Sequence, residues 1–467
     1  MDKKLKFDIV VLGSGTGGYP AAIRAAQAGK SVALIEPNEL GGTCLNRGCI
    51  PSKALIATAE LLHRIEQAED FGIKVGPVTY DYSKMIDRKD KVVGNVRKGL
   101  EGLIKSNNIT LFRGYGKLSS KHEIRVNGKD NAVIEAEKII VATGSEPKNI
   151  PAFPCDNKKI LDSTALLELR KLPKKIVIIG GGVIGCEFAS LFNAFNVEVV
   201  IVEMLSSILP MEGAAVSATL TKAYERKGIK IHTGAKVLGI DDIAEGVSVR
   251  IQDKEPIAAD IALVAVGRSL NVRNIGLENV GVLIKDNGIV EVNEHMQTSV
   301  ENIYAVGDIS STLWLAHVAS HQGIVAARHA TGDAEAVMHY NAVPSVIFTT
   351  PEIGTVGLSL EKALEQGYQA ALGSFPFTAL GKSQATIQTE GFAQVVFDKK
   401  THQILGAQVV GHEASALIAE MAVAVANELT LESITETIHA HPTIAEAWLE
   451  AALIANNTPL HLPPKKK

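Results

Sequence analysis

Cysteine is scarce in this chain: 467 residues carry four, at positions 44, 49, 155 and 186. So few and so scattered, they do not form the dense disulfide framework of a small secreted domain. Basic surplus is absent too. Lysine and arginine total 47 against 51 aspartates and glutamates, a net charge of -4, which offers no basic face for a phosphate backbone and argues against nucleic acid as a partner. Long apolar runs are also missing. IVIIGGGVIGC, 176–186, falls well short of the roughly 18 residues that cross a bilayer, so no membrane span is expected. The N-terminal MDKKLKFDIVVLGSG sets lysines ahead of an apolar run as a signal peptide does. Its run is short and ends in glycines rather than a small-residue cleavage site, and it reads as a strand. A reducing cytoplasm fits this usage of cysteine. The last five residues, PPKKK, read as a solvated tail.

What is present is organised as a repeat. FDIVVLGSGTGGYPAAIRAAQAGKSVALIEPN, from Phe7, and KIVIIGGGVIGCEFASLFNAFNVEVVIVEM, from Lys175, each run from an apolar strand through a glycine turn and an amphipathic helix to a second strand ending in an acid. Gly13, Gly15, Gly18 and Glu36 recur as Gly180, Gly182, Gly185 and Glu203, every offset being 167 residues. One GxGxxG is weak evidence; two copies in the same strand-turn-helix context are strong. In such a turn the first glycine bends the chain, the second admits a pyrophosphate to the backbone and the third lets helix and strand pack, with the phosphates at the positive end of the helix. The terminal acid accepts from ribose hydroxyls. No arginine follows Glu203 in Met204, Leu205 and Ser206, which favours NAD over NADP there. Two dinucleotide sites in one chain imply two dinucleotides exchanging electrons, one of them a flavin.

Between the repeats stands GGTCLNRGCIPSK, 41–53. Five residues apart on a helix, Cys44 and Cys49 would point away from each other, so a meeting of their sulfurs requires a bend, which Gly48 tolerates. As a staple so small a ring would contribute only about 2 kcal/mol. As a zinc clamp it lacks a second pair at ligand spacing, and no metal is expected. In a reducing compartment a close pair is more often metal-binding or catalytic than structural. Near the other end, HAHPTIAEAWLEAA, 439–452, permits two readings. Thr443 with Glu446 matches a capping box that simply starts a helix. Alternatively His441 is a general base and Glu446 the carboxylate that fixes its tautomer. One glutamate can do both.

Proline-marked exits after EKIIVATGSEPKNIP, and the strand-turn runs IALVAVGRSLNV and ENIYAVGDISS, punctuate the middle of the chain; from about residue 346 a hairpin signal at 391–411 and helical patterns at 413–428 and 443–456 read as a separate α+β unit. With GSGTGG, GGTCLNRGCIPSK, VATGS, GGGVIGCE, VAVGR, YAVGD, LAH, PEIGTVG and HPTIAE in order, the chain resembles the pyridine nucleotide-disulfide oxidoreductases over essentially its whole length.

The resemblance implies an α/β fold with two Rossmann-like domains, for FAD at 1–150 and NAD at 151–280, a central segment at 281–345 that completes the FAD site, and an α+β dimerisation domain at 346–467. It implies that Cys49 faces the flavin as thiolate, that Cys44 exchanges with substrate, and that His441 reaches Cys44 from the second subunit of a homodimer. Lys53 would sit near the flavin, paired with Glu187 in the first turn of the second glycine helix. Gly116, Asp308 and Ala316 would contact FAD, and Val237 and Gly267 NAD. The activity implied is oxidation of dihydrolipoyl groups by NAD, on lipoyl domains of 2-oxo acid dehydrogenase complexes or the glycine cleavage H protein. An NADPH-dependent reductase of the glutathione type shares the architecture, and from another class stands a flavin-binding structural subunit without turnover. VGRSLN lacks the proline the family often has there, and Trp314 stands before LAH where a smaller residue is usual; packing is its expected role. Cys155 and Cys186 are expected to be buried small hydrophobes.

Overall fold

The computed structural model describes residues 4–463; most of the PPKKK tail lies outside them. The Val- and Ile-rich run Leu5–Leu12 forms a strand whose last four residues are almost wholly buried, because helices or loops cover both faces of a parallel sheet. It pairs in parallel with Val32–Ile35 on one side and Ala132–Val141 on the other, with Leu12 opposite Ile35 and Val141. Thr110–Phe112 extends the first edge, and the antiparallel strands Glu123–Gly128 and Gly114–Ser120 extend the second. The seventh strand, Ile303–Ala305, comes from far along the chain and pairs in parallel with the C-terminal half of Ala132–Val141. Alanines 21, 22 and 25 let the helix Gly18–Gln27 lie close against this sheet.

The second glycine turn opens an equivalent unit. Lys175–Ile179 is flanked in parallel by Glu198–Val202 and Ile261–Val264, with Lys230–His232 and Ile160–Leu161 at the edges. A three-stranded antiparallel sheet, Val237–Ile243, Gly246–Ile251 and Ile257–Ala259, packs beside it. The chain enters and leaves this unit through a two-stranded neck in which Ser145–Pro147 pairs antiparallel with Arg268–Leu270. Lys89, buried on the helix Tyr82–Ser106, bonds Leu167 O at 3.1 Å and Glu168 Oε1 at 2.8 Å, pinning that helix against the second unit.

The C-terminal third is the expected α+β body: five antiparallel strands in the order 345–347, 353–357, 404–410, 392–398 and 370–376, covered by the helices Ala414–Ala426 and Glu446–Ala455. Trp448 is fully buried between them and donates its indole N–H to Leu417 O at 3.1 Å. Truncating it to alanine would cost about 3–5 kcal/mol.

Candidate functional site

Gly13 has φ +94°, and a Cβ there would stand 2.3 Å from Ala142 O; Gly180 has φ +107°, and its Cβ would stand 2.3 Å from Ala265 O. Only glycine fits either turn. A Cβ on Gly18 would meet Gly13 O at 1.8 Å, and one on Gly185 would meet Gly180 O at 2.0 Å, so the third glycine in each copy presses its helix onto its turn. Each acid is held as the spacing implies. Glu36 accepts from Ser14 N at 2.9 Å, Ser14 Oγ at 2.7 Å and Asn38 N at 3.0 Å. Glu203 accepts from Gly181 N at 2.6 Å and Leu205 N at 2.7 Å. Two carboxylate oxygens offer about four acceptor sites, so both acids keep capacity for a ribose hydroxyl.

A cleft of about 730 Å3 opens along the first turn, with Gly13, Gly15, Glu36, Gly42 and Gly116 in its wall. A Cβ on Gly42 would lie 2.5 Å from Gly15 Cα, so two bare backbones share the place where a pyrophosphate would run. These residues fit a dinucleotide. Asp308 lies in the turn after Ile303–Ala305, at the C-terminal end of the same sheet, where open parallel sheets bind ligands. Its carboxylate accepts a short bond from Ser145 Oγ and stands 3.9 Å from Arg268 Nε. Ala316 begins the helix Ala316–Ala330. On the second unit, Val237 opens its strand, and Gly267, at φ +113°, accepts from Lys148 N at 3.0 Å.

The helix Gly42–Arg47 stops at Gly48, whose ψ of -107° is not helical, and a new helix starts at Cys49. This break lets positions 44 and 49 meet. The neighbouring Cys44 thiol brings Cys49 down to about 7 against the upward push of burial, with the Lys53 cation adding to the fall. Cys44 is correspondingly driven well up. Of the two thiols, Cys49 is the one lowered. Lys53 Nζ lies 2.8 Å from both Glu187 oxygens and 4.3 Å from the centre of the Phe348 ring, and Phe348 N donates to Glu187 Oε1 at 3.0 Å. The second helix begins at Val183, so Glu187 sits one turn in, past the first-turn position expected for it; the lysine and Phe348 hold it there.

His441 Nδ1 lies 2.7 Å from Glu446 Oε1, and Glu446 Oε2 accepts from Thr443 N at 2.9 Å. Burial raises the Glu446 carboxyl, but Thr443 N–H and the His441 ring outweigh it and hold it below its usual value. The capping box is only half realised. Thr443 Oγ1 turns back to Ala440 O at 2.7 Å instead of capping the helix, which begins at Glu446. The His441 side chain is 76% exposed. Among the described residues its one hydrogen bond is to Glu446, so within a single chain it reaches neither thiol.

Sequence reasoning missed Ser14, Phe348, Ser145 and Arg268. Ser14 had a signal, lying inside the first glycine turn; the others meet their partners only through tertiary folding. Cys186 is buried as expected, whereas Cys155 is half-buried at the rim of the second unit's core. Trp314 is partly exposed and donates to Ser311 O at 3.0 Å.

Residues 7–323 match the pyridine nucleotide-disulphide oxidoreductase family, and residues 343–452 match its dimerisation domain. The chain is 52% identical to the dihydrolipoyl dehydrogenase of Chlamydia pneumoniae over 98% of its own length and 99% of the relative's. It is 38% identical to that of Bacillus subtilis over 98% and 99%. Among solved structures, LpdA of Mycobacterium tuberculosis superposes with a TM-score of 0.90 at 27% identity, covering 96% of this chain and 99% of that one. The HOCl-induced flavoprotein disulfide reductase RclA of Escherichia coli gives 0.85 at 28%, covering 95% and 99%.

Proposed function

The chain belongs to the pyridine nucleotide-disulphide oxidoreductase family, and on that premise we propose that it oxidises dihydrolipoyl groups with NAD through a Cys44–Cys49 redox disulfide. It is an FAD- and NAD-dependent flavoprotein disulfide oxidoreductase. The observation that carries the reading is the meeting of the two thiols across the break at Gly48, with Cys49 the lower of the pair beside Lys53. The reading takes 1–150 as the FAD-binding domain, 151–280 as the NAD-binding domain, 281–345 as the segment returning to the FAD site and 346–467 as the dimerisation domain.

A substrate thiolate attacks Cys44 Sγ, the bond to Cys49 breaks, and Cys49 leaves as a thiolate favoured by the nearby ammonium. The second substrate thiol gives its proton to His441 and attacks the first substrate sulfur. Cys44 is released, and a lipoyl disulfide departs, leaving two electrons on the cysteine pair. Glu446 on Nδ1 fixes the tautomer, so Nε2 presents the free lone pair. FAD, when bound, would supply a two-electron acceptor between the cysteine pair and NAD. Gly13, Gly15, Gly18, Glu36, Gly116, Asp308 and Ala316 would hold it, with Lys53 beside its ring. Gly180, Gly182, Gly185, Glu203, Val237 and Gly267 would hold NAD.

The dimerisation-domain match supports a homodimer. In it His441 of one subunit would face Cys44 of the other, a reading supported by the exposure of the imidazole and of neighbouring Ile438, 96% exposed. Lipoyl domains of 2-oxo acid dehydrogenase complexes or the glycine cleavage H protein are the proposed partners, and a reducing cytoplasm the proposed location. Among the described residues no helix is long and apolar enough to cross a membrane.

The test assays the yellow protein with dihydrolipoamide and NAD, and in parallel with glutathione disulfide and NADPH. Preference for the second pair overturns the reading. Cys44→Ser is expected to lower dithiol turnover by at least about 1,000-fold while FAD stays bound and NADH oxidation by an artificial acceptor persists. Loss of FAD instead would make the pair structural.

A further inference from the structure

We propose that His439 is a positioning residue for His441, tying the loop that carries the base to the helix Ala414–Ala426 through Glu420; this rests on the reading of His441 given above. Ile438–Ala445 lies outside any helix or strand, and among the described residues none of its backbone N–H groups donates to a backbone carbonyl. A segment without a backbone ladder is located by its side chains.

On the C-terminal side of His441 the anchors are Ile444, buried in the core, and the bond from Thr443 N–H to Glu446. On the N-terminal side the adjacent apolar residue, Ile438, projects into solvent. The anchor there is His439, whose side chain is only 5% exposed. Its Nδ1 lies 2.9 Å from Thr437 O, just past the helix Leu431–Thr435, and its Nε2 lies 3.0 Å from Glu420 Oε1. The ring therefore bridges two oxygens, one on the chain behind the loop and one on a different helix. Between His439 and Ile444 only the turn closed by Thr443 Oγ1 and Ala440 O remains, and His441 projects from it. Glu446 sets how the catalytic ring is rotated; His439 sets where it stands.

An asparagine amide overlays a histidine Nδ1 and a glutamine amide its Nε2, so the two bonds can be kept one at a time. In the FAD-loaded protein, His439→Ala is expected to lower kcat/KM for dihydrolipoamide by about 10- to 100-fold, the cost of a misplaced catalytic group. His439→Gln, which keeps the Glu420 bond, should recover most of that loss, and His439→Asn little of it. NADH oxidation by an artificial quinone, which bypasses His441 and the thiols, should stay within about twofold throughout. Should His439→Ala not fold, Glu420→Ala carries the same expectation. The proposal is overturned if dithiol turnover survives the loss of the bridge, if the quinone reaction falls in parallel, or if Asn rescues as well as Gln. A wild-type protein inactive with dihydrolipoamide would overturn the reading of His441 itself, which the wild-type control separates from these outcomes.

Discussion

The two glycine turns are the same device built twice, and they differ in what covers them. At each, the first glycine would clash with a carbonyl 2.3 Å away and the third seals helix to turn. Yet Gly15 is abutted by Gly42, whereas nothing lies within 4 Å of a Cβ on Gly182. Glu36 is gripped by three donors, one a side chain, and Glu203 by two backbone amides. The cause is the chain that follows. After Glu36 it doubles back as the two cysteine-bearing helices; after Glu203 it swings out at Met204, 65% exposed, and returns only to Gly181, to whose O Leu209 N donates at 2.9 Å, leaving Gly182 uncovered. A roofed turn suits a dinucleotide that stays, an open one a dinucleotide that comes and goes.

Breaking the roof should have the largest effect. Gly42→Val meets Gly15 Cα and forces a β-branched residue to φ +61°. The purified protein should be essentially colourless, read as flavin absorbance per chain. Gly182→Ala should keep the colour and raise the KM for NAD about tenfold; equal flavin loss in both would erase the contrast. The acids sharpen it at smaller scale. Glu203→Gln is expected to raise the KM for NAD by about tenfold, the worth of a charged hydrogen bond, with flavin content intact, while Glu36→Gln should weaken flavin retention and leave the KM for NAD alone. Smallest is a shift in titration. In the reduced protein Cys49 should be mainly thiolate above about pH 7 and thiol below it. The Lys53 cation contributes to that lowering, so Lys53→Gln should move the midpoint upward, followed by thiolate absorbance against pH. An unmoved midpoint would detach the lysine from the thiol.

Legibility followed distance along the chain. The glycine turns, the terminal acids, the bend between Cys44 and Cys49 and the pair His441–Glu446 depend on neighbours within one strand-turn-helix or one turn, and their spacing expresses them. The hairpin of Phe392–Asp398 with Ile404–Val410 was visible for the same reason. Its outer neighbours were not: Ser345–Ile347 is three residues long, and Ile353–Gly357 begins and ends without an alternating pattern. Phe348 meets Lys53, and Ser145 meets both Asp308 and Arg268, across long stretches of sequence in which no periodicity records the encounter. Lys53 with Glu187 was foreseen only through family resemblance.

The pairing of Ile303–Ala305 with Ala132–Val141 bears on how the protein is made. As the chain emerges from a ribosome, residues 139–141 have no partner on that edge until Ile303 has been synthesised, and the whole second unit must come first. That unit can close on its own neck, Ser145–Pro147 against Arg268–Leu270, while the first waits with an open strand edge. The order of assembly is therefore inverted relative to the order of synthesis: the sheet begun first is finished after the one inserted into it.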